Sequence, residues 1–518
     1  VLRLSPRAHE LVGALTRQET DGYDTAELLQ AYSTYLHETI HWWQHVGSSA
    51  GLILSLAYPA QIHGSMEFLQ TFARKVGAVK PVKAWADREL IAGNTHADPA
   101  LAAANIAVNN ALDITFYKQL AFSPKVVLEL MRSPYFESVG HSYFKGIGEG
   151  VHLINGSCDF ANDEFPDPER WDDAYRQLYE SRHPGFAHGT QVPLAEVGLR
   201  AIFEGQARFC QIQYLASMGG PELLQIYRDE GYFGPLYAEA FELFLELTGN
   251  VWPERYDAPL VGLFLLICDV AINPTRGFPL DIDALEDLIF DVDAGIRFTR
   301  LCLAAAEAPE LGMGIQTFSA LEYRYVAGRL TERCGYDDPL AALKVVDDLV
   351  GDEAAVDTLM EEHRSFAFSP MNMTVRVMVA HYIAFCRDKL ERPEFFCWPG
   401  IWLASDRATP DIQALFINHL SLFQDRGDTR QIFPRAMPGR REKNIKALVQ
   451  GFFTSMLTYD LALQWTLQPG PFRYDFSWLT GKADNAELIV LAKRQFEHLY
   501  GINPDDCTFL DPPELGAD

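Results

Sequence analysis

Apolar residues recur along this chain every three to four positions far more often than every second one. That is the spacing of a helix with one buried face rather than of a half-buried strand. The pattern predicts helices over roughly 24–46, 99–122, 193–217, 234–248, 258–272, 281–306, 316–334, 352–365, 371–389, 442–466 and 484–499. Proline and glycine punctuate it at Pro184-Gly185, Gly219-Gly220-Pro221, Asn273-Pro274, Pro399-Gly400 and Pro469-Gly470-Pro471. Segment 155–192, rich in Asp, Pro, Gly and aromatics, reads as an irregular connection. The expectation is a mainly α, multi-helical protein with little or no β-sheet. Regions 1–125, 126–255, 256–400 and 401–518 are taken as its domain-sized parts.

Composition narrows the class. Of 518 residues, 48% are hydrophobic and 22% charged, which suits a globular chain with a sizeable core. A net charge of −27 disfavours nucleic acid and anionic membrane as partners. The eight cysteines form no Cys-x-x-Cys pair and sit in apolar segments such as Arg208-Phe209-Cys210 and Leu301-Cys302-Leu303, the pattern of reduced, packed thiols. Val1 to Leu15 carries Arg3, Arg7, His9 and Glu10, with no apolar run of signal-peptide length. Leu260 to Ile272 is interrupted by Asp269 and too short to span a bilayer. These features predict a soluble, cytoplasmic protein, and nothing in them specifies an oligomeric state.

The chemistry-bearing stretch lies between Asp24 and Gly47. Asp24 with Glu27 has the form of a capping box, and Gly47 stands where a left-handed cap would end the helix. Inside it runs Thr34-Tyr35-Leu36-His37-Glu38-Thr39-Ile40-His41-Trp42-Trp43. The four-residue step from His37 to His41 turns about 400°, so both imidazoles leave one helix face a turn apart and can reach one zinc ion. Glu38, rotated by about 100° from His37, falls beside the metal, where an unligated carboxylate can act as general base toward a water on it. His45 lies about 12 Å up the axis from His37, too far to share that ion, and reads as a packed or supporting histidine.

This stretch resembles the zinc signature of the zincin metallopeptidases. Thr34 stands three residues before the first histidine, Thr39 and Ile40 are uncharged, and Trp42 and Trp43 follow the second histidine. Gly47 occupies the position of the third histidine of metzincins, which departs from that branch. The resemblance to gluzincin-type enzymes implies a glutamate on a later helix as third ligand, and Ala201-Ile202-Phe203-Glu204-Gly205-Gln206-Ala207-Arg208 fits best. Gly205 and Ala207 would permit close approach to the histidine helix, and Arg208 would orient the Glu204 carboxylate. Two departures stand against the resemblance: the gap from His41 to Glu204 is 163 residues, and only 23 residues precede Asp24, where a sheet usually lies. Largely helical zincins, such as the thimet oligopeptidase-like and angiotensin-converting-enzyme-like families, have peptide substrates and a channel between helical halves. The resemblance thus implies a zinc metallopeptidase acting on a peptide or protein substrate.

Glu149-Gly150-Val151-His152 repeats the spacing of Glu38 to His41. Two such pairs are what a di-iron carboxylate oxidase or oxygenase uses, although Gly146, Gly148 and Gly150 argue against a regular helix there. Under the zinc reading Glu149 is a reserve ligand and His152 a possible oxyanion donor. A catalytically idle zincin-like binding protein is the third alternative. From Arg426 to Lys446, seven basic residues stand against Asp428 and Glu442, which suits either a substrate anion or a solvated loop. No phosphate-binding glycine loop and no Gly-x-Ser-x-Gly nucleophile elbow occurs.

Overall fold

Helix-starting side chains in this chain do what their chemistry dictates. The Asp24 carboxylate accepts from Ala26 N–H at 3.1 Å to begin the helix Thr25–Gly47. Ser48 Oγ accepts from Gly51 N–H at the start of Ser49–His63, and Asp98 with Pro99 opens the long helix Pro99–Phe122. The computed structural model describes residues 2–160, 164–220, 223–425, 432–435, 440–480 and 485–513. Among them the protein is mainly α, as expected. Its strands are two short pairs, Val79–Lys80 parallel to Thr508–Phe509 and Phe423–Asp425 antiparallel to Ile432–Pro434. No helix among the described residues is long and apolar enough to cross a membrane. All eight cysteines are free and buried.

Most boundaries follow the apolar period. The helices Pro99–Phe122, Pro235–Thr248, Pro259–Ala271 and Glu442–Leu467 lie within two residues of expectation. The segment 281–306 is divided: Asp293 caps a new helix, Ala294–Ala306, by accepting from Ile296 N–H at 2.8 Å. Several helices were not foreseen. Ser49–His63 buries Leu52, Ile53, Leu56, Ala57 and Ala60 on several sides, so it has no polar face to reveal a period. Val139–Cys158 is a regular helix despite its glycines, contrary to expectation. A Cβ on Gly146 would lie 2.2 Å from the Tyr117 ring, and one on Gly150 would lie 3.3 Å from Ile53. The glycines thus let this helix close on Pro99–Phe122 and Ser49–His63, and that packing outweighs their low propensity. Segment 155–192 contains Asp172–Glu180 and a 3₁₀ turn at Pro168–Trp171, so it is less irregular than expected.

Two clusters of buried apolar side chains hold the elements together. The larger gathers residues from Leu2 to Leu448, including Leu36, Ile40, Phe203, Phe264 and Trp398. The smaller joins Ile62, Leu69, Phe72 and Ala104 to Trp465, Phe496 and Tyr500 near the end of the chain. Asp269, which interrupts the apolar helix Pro259–Ala271, accepts from Lys389 Nζ at 2.6 Å and from the Tyr323 hydroxyl at 2.8 Å.

A candidate metal centre between two crossing helices

The helix Thr25–Gly47 packs antiparallel against Leu199–Gly219, and glutamines fasten the crossing. Gln44 Nε2 donates to Phe203 O and to Gln206 Oε1, both at 2.9 Å, and Gln211 Nε2 donates to Ser33 Oγ at 3.1 Å. All three glutamines are buried. This lock aligns the Glu204 carboxylate with the face that carries both imidazoles. His37 Nε2 and His41 Nε2 lie 3.1 Å apart, and Glu204 Oε2 lies 3.7 Å from the first and 3.5 Å from the second. Among the described residues, these form the group of three or more His, Cys, Asp or Glu side chains close enough to hold one ion.

The donor set fits zinc. Ligand atoms about 2.0–2.2 Å from a tetrahedral centre stand about 3.3–3.6 Å from one another, and the three separations here bracket that range. Two imidazole nitrogens and one carboxylate oxygen also leave a fourth position for water or substrate. His41 Nδ1–H donates to Gln44 Oε1 at 2.8 Å, which directs the Nε2 lone pair toward His37 and Glu204. His37 Nδ1 is buried with no hydrogen-bond partner among the described residues. Exposure is graded across the cluster: the His37 side chain is 7% exposed, whereas His41 is 23% and Glu204 26%, so the cluster opens on its His41–Glu204 side.

That side faces a cavity of about 470 Å³ lined by Glu38, His41, Trp42, His45, Arg200, Phe203, Glu204, Thr374 and a wall of apolar side chains. Electrostatics differentiates the cluster. Burial lowers the His37 pKa to about 4, against the opposing pull of Glu204, so this imidazole is neutral and free to act as a ligand. Burial also works against a charged His41, but the Glu204 carboxylate, helped by Gln44 and Glu38, outweighs it and raises its pKa. Glu204 is pulled up by burial and down more strongly by His37 and His41, which hold it well below the usual carboxylate range. Glu38 is raised, chiefly by burial. It makes no hydrogen bond or ion pair among the described residues, so its carboxylate stands on the cavity wall as an uncommitted proton acceptor.

The other expected residues are placed differently. Arg208 does not orient Glu204: it donates to Gln211 Oε1 at 2.6 Å and lies over the Tyr237 ring at 3.9 Å. Gly205 does not face the histidine helix, since a Cβ there would meet Phe264, Ala240 and Tyr237 O on other helices. His45 is a packed histidine, bonded through Nδ1 to Ser55 Oγ at 3.2 Å and edge-on to Phe203. Glu149 and His152 are not part of the cluster. Glu149 lies beside Gly64 and 3.6 Å from Lys145 Nζ, and His152 is exposed. They therefore supply neither a reserve ligand nor an oxyanion donor, and the second half of a di-iron site is not assembled. The capping box is half formed, because Glu27 pairs with Arg7 at 2.6 Å. Gly47 remains helical; the Phe385 ring lies 2.7 Å from where its Cβ would be.

Residues 426–431 and 436–439 of the basic stretch lie outside the described residues. Of the remainder, Arg435 donates to Ser421 O and the Tyr35 hydroxyl, and Arg440 lies over Phe366, away from the cavity lining. Sequence reasoning missed Gln44, Gln206 and Tyr237, whose ring packs on His37. Only Gln44 left a local signal, since three positions after His41 is the same helix face. Comparison with protein-family models, with curated proteins and with solved structures finds no match.

Proposed function

We propose that the protein is a zinc-dependent hydrolase, with the peptide bond as its substrate linkage. The observation that carries this is the convergence of His37, His41 and Glu204 from two helices, with the uncommitted Glu38 carboxylate on the same cavity wall. His37 Nε2, His41 Nε2 and Glu204 Oε2 would hold the ion. Zinc when bound supplies Lewis acidity, lowering the pKa of water toward about 7. Glu38 would accept the proton of the attacking water on a carboxylate oxygen and later deliver it to the leaving nitrogen. Gln44 holds the His41 ring through Nδ1, and Trp42, Phe203, Val377 and Phe452 surround the cavity with apolar surface that limits water.

Peptide specificity rests on the resemblance of residues 34–43 to the zincins; the ligand set itself calls only for activation of water. The free state of Glu38 favours a working hydrolase over an idle binding scaffold, in which that carboxylate would have no task. The free, buried thiols suit a reducing compartment such as the cytoplasm.

Metal analysis combined with digestion of a peptide library, with and without chelator, tests this. About one zinc per chain is expected, with cleavage lost on chelation and restored by zinc. Glu38→Gln should keep the zinc and lower cleavage by about 10²–10⁴-fold. Two irons per chain, or undiminished cleavage by that variant, would overturn the reading.

A further inference from the structure

The cavity beside the metal cluster combines two carboxylates, Glu38 and Glu204, with an apolar lining that includes Trp42, Phe122, Phe203, Val377 and Phe452. Apart from the two histidines, the cation among its described lining residues is Arg200. Arg200 lies one helical turn before Glu204, exposed, and makes no hydrogen bond or ion pair among the described residues. It also borders a neighbouring groove with Glu196, Glu239, Glu242 and Glu246, yet pairs with none of them; Glu239 is engaged by Lys125 at 2.5 Å. Thr374, also in the lining, is buried, and its hydroxyl has no partner among the described residues.

We infer that this cavity binds the C-terminal end of a short peptide: a bulky apolar residue against the aromatic wall, and its terminal carboxylate on Arg200. Size, distance and charge agree on this. A volume of about 470 Å³ lies in the range of about 300–1,000 Å³ typical of small-ligand sites. One helical turn from Glu204 to Arg200 rises about 6 Å, roughly what one to two extended residues cover at about 3.3–3.6 Å each. Outside the metal site itself, Glu38 and Glu204 repel a carboxylate and Arg200 is the lining cation that can pair one. The Thr374 hydroxyl would then find its missing partner in a peptide group of the ligand. That the ligand is a peptide, and which bond is cut, rest on the hydrolase reading above; the preference for an apolar group that bears a carboxylate does not.

Calorimetric binding to the full chain, measured both zinc-loaded and chelator-treated, tests it with four probes. These are N-acetyl-Ala-Phe, its C-terminal amide, N-acetyl-Glu-Phe-amide and N-acetyl-Ala-Gly. The free acid is expected to bind at least tenfold more tightly than its amide, and glycine in place of phenylalanine should cost a similar factor. Arg200→Gln should erase the acid-over-amide preference, and Arg200→Lys should restore part of it. Equal affinity of acid and amide, a preference that survives Arg200→Gln, or no binding of any probe would overturn the inference. If N-acetyl-Glu-Phe-amide matched the free acid, a side-chain carboxylate would be the ligand and the C-terminal assignment would fall. An acid preference in a protein that cleaves no peptide would leave this inference standing and remove the peptidase reading. Cleavage indifferent to the terminal carboxylate would do the reverse.

Discussion

Glu38-x-x-His41 and Glu149-x-x-His152 share one spacing on two regular helices, yet the protein treats them oppositely. Around the first pair, His37 stands one turn earlier on the same face, Glu204 arrives from a crossing helix, and Gln44 fixes a ring. Around the second, the imidazole is in solvent and the carboxylate is set near a lysine of its own helix. The buried side of the second helix sets Tyr143, Ile147, Val151 and Ile154 among glycines that admit Tyr117 and Ile53, so it is built for close packing rather than for ligation. Spacing brings two side chains to one face; a site needs that face to meet further donors in a place shielded from water but open to substrate.

The largest expected contrast is in metal content. His37→Ala should reduce zinc from about one per chain to none at micromolar metal, whereas His152→Ala should leave it unchanged. Loss of zinc in the His152 variant would erase the distinction between the two regions. A smaller effect follows from the glutamine lock. Gln44→Leu leaves His41 without its Nδ1 partner, and zinc affinity measured by chelator competition should fall about 10–100-fold. An unchanged affinity would show that the ring is held by packing alone.

The smallest effect concerns buried histidines outside the cluster. Burial lowers the pKa of His63 to about 4, and burial together with nearby Arg440 lowers that of His363 to about 3. Below pH about 6.5 the unfolded chain protonates these residues while the folded one does not. Stability contributed by their neutral state is therefore lost as pH falls from about 6.5 toward 4, at up to about 1.4 kcal/mol per pH unit for each histidine. His141 and Asp113 oppose each other, since burial lowers the histidine to about 4 and raises the carboxyl to about 7. Urea unfolding between pH 4 and 7, on zinc-free protein, should show this decline. It should be shallower in a His63→Gln variant, and an unchanged slope there would mean that His63 is not kept neutral by its surroundings.

Much of the helical framework could be read directly from apolar spacing, and the cap at Asp24 from its own residue type, because these depend on residues a few positions apart. The common face of His37 and His41, and the offset of Glu38 from it, have the same local origin. Helices such as Ser49–His63 escaped because a segment buried on several sides carries no polar stripe, and Val139–Cys158 because packing overrode glycine propensity. The union of Glu204 with the histidines, the turn of Arg208 onto Tyr237 and the exclusion of Glu149 were decided by how separate helices cross. A chain's local pattern dictates which way a side chain leaves its own helix. What it meets there depends on contacts between residues far apart in sequence, and those exist only once the helices have packed.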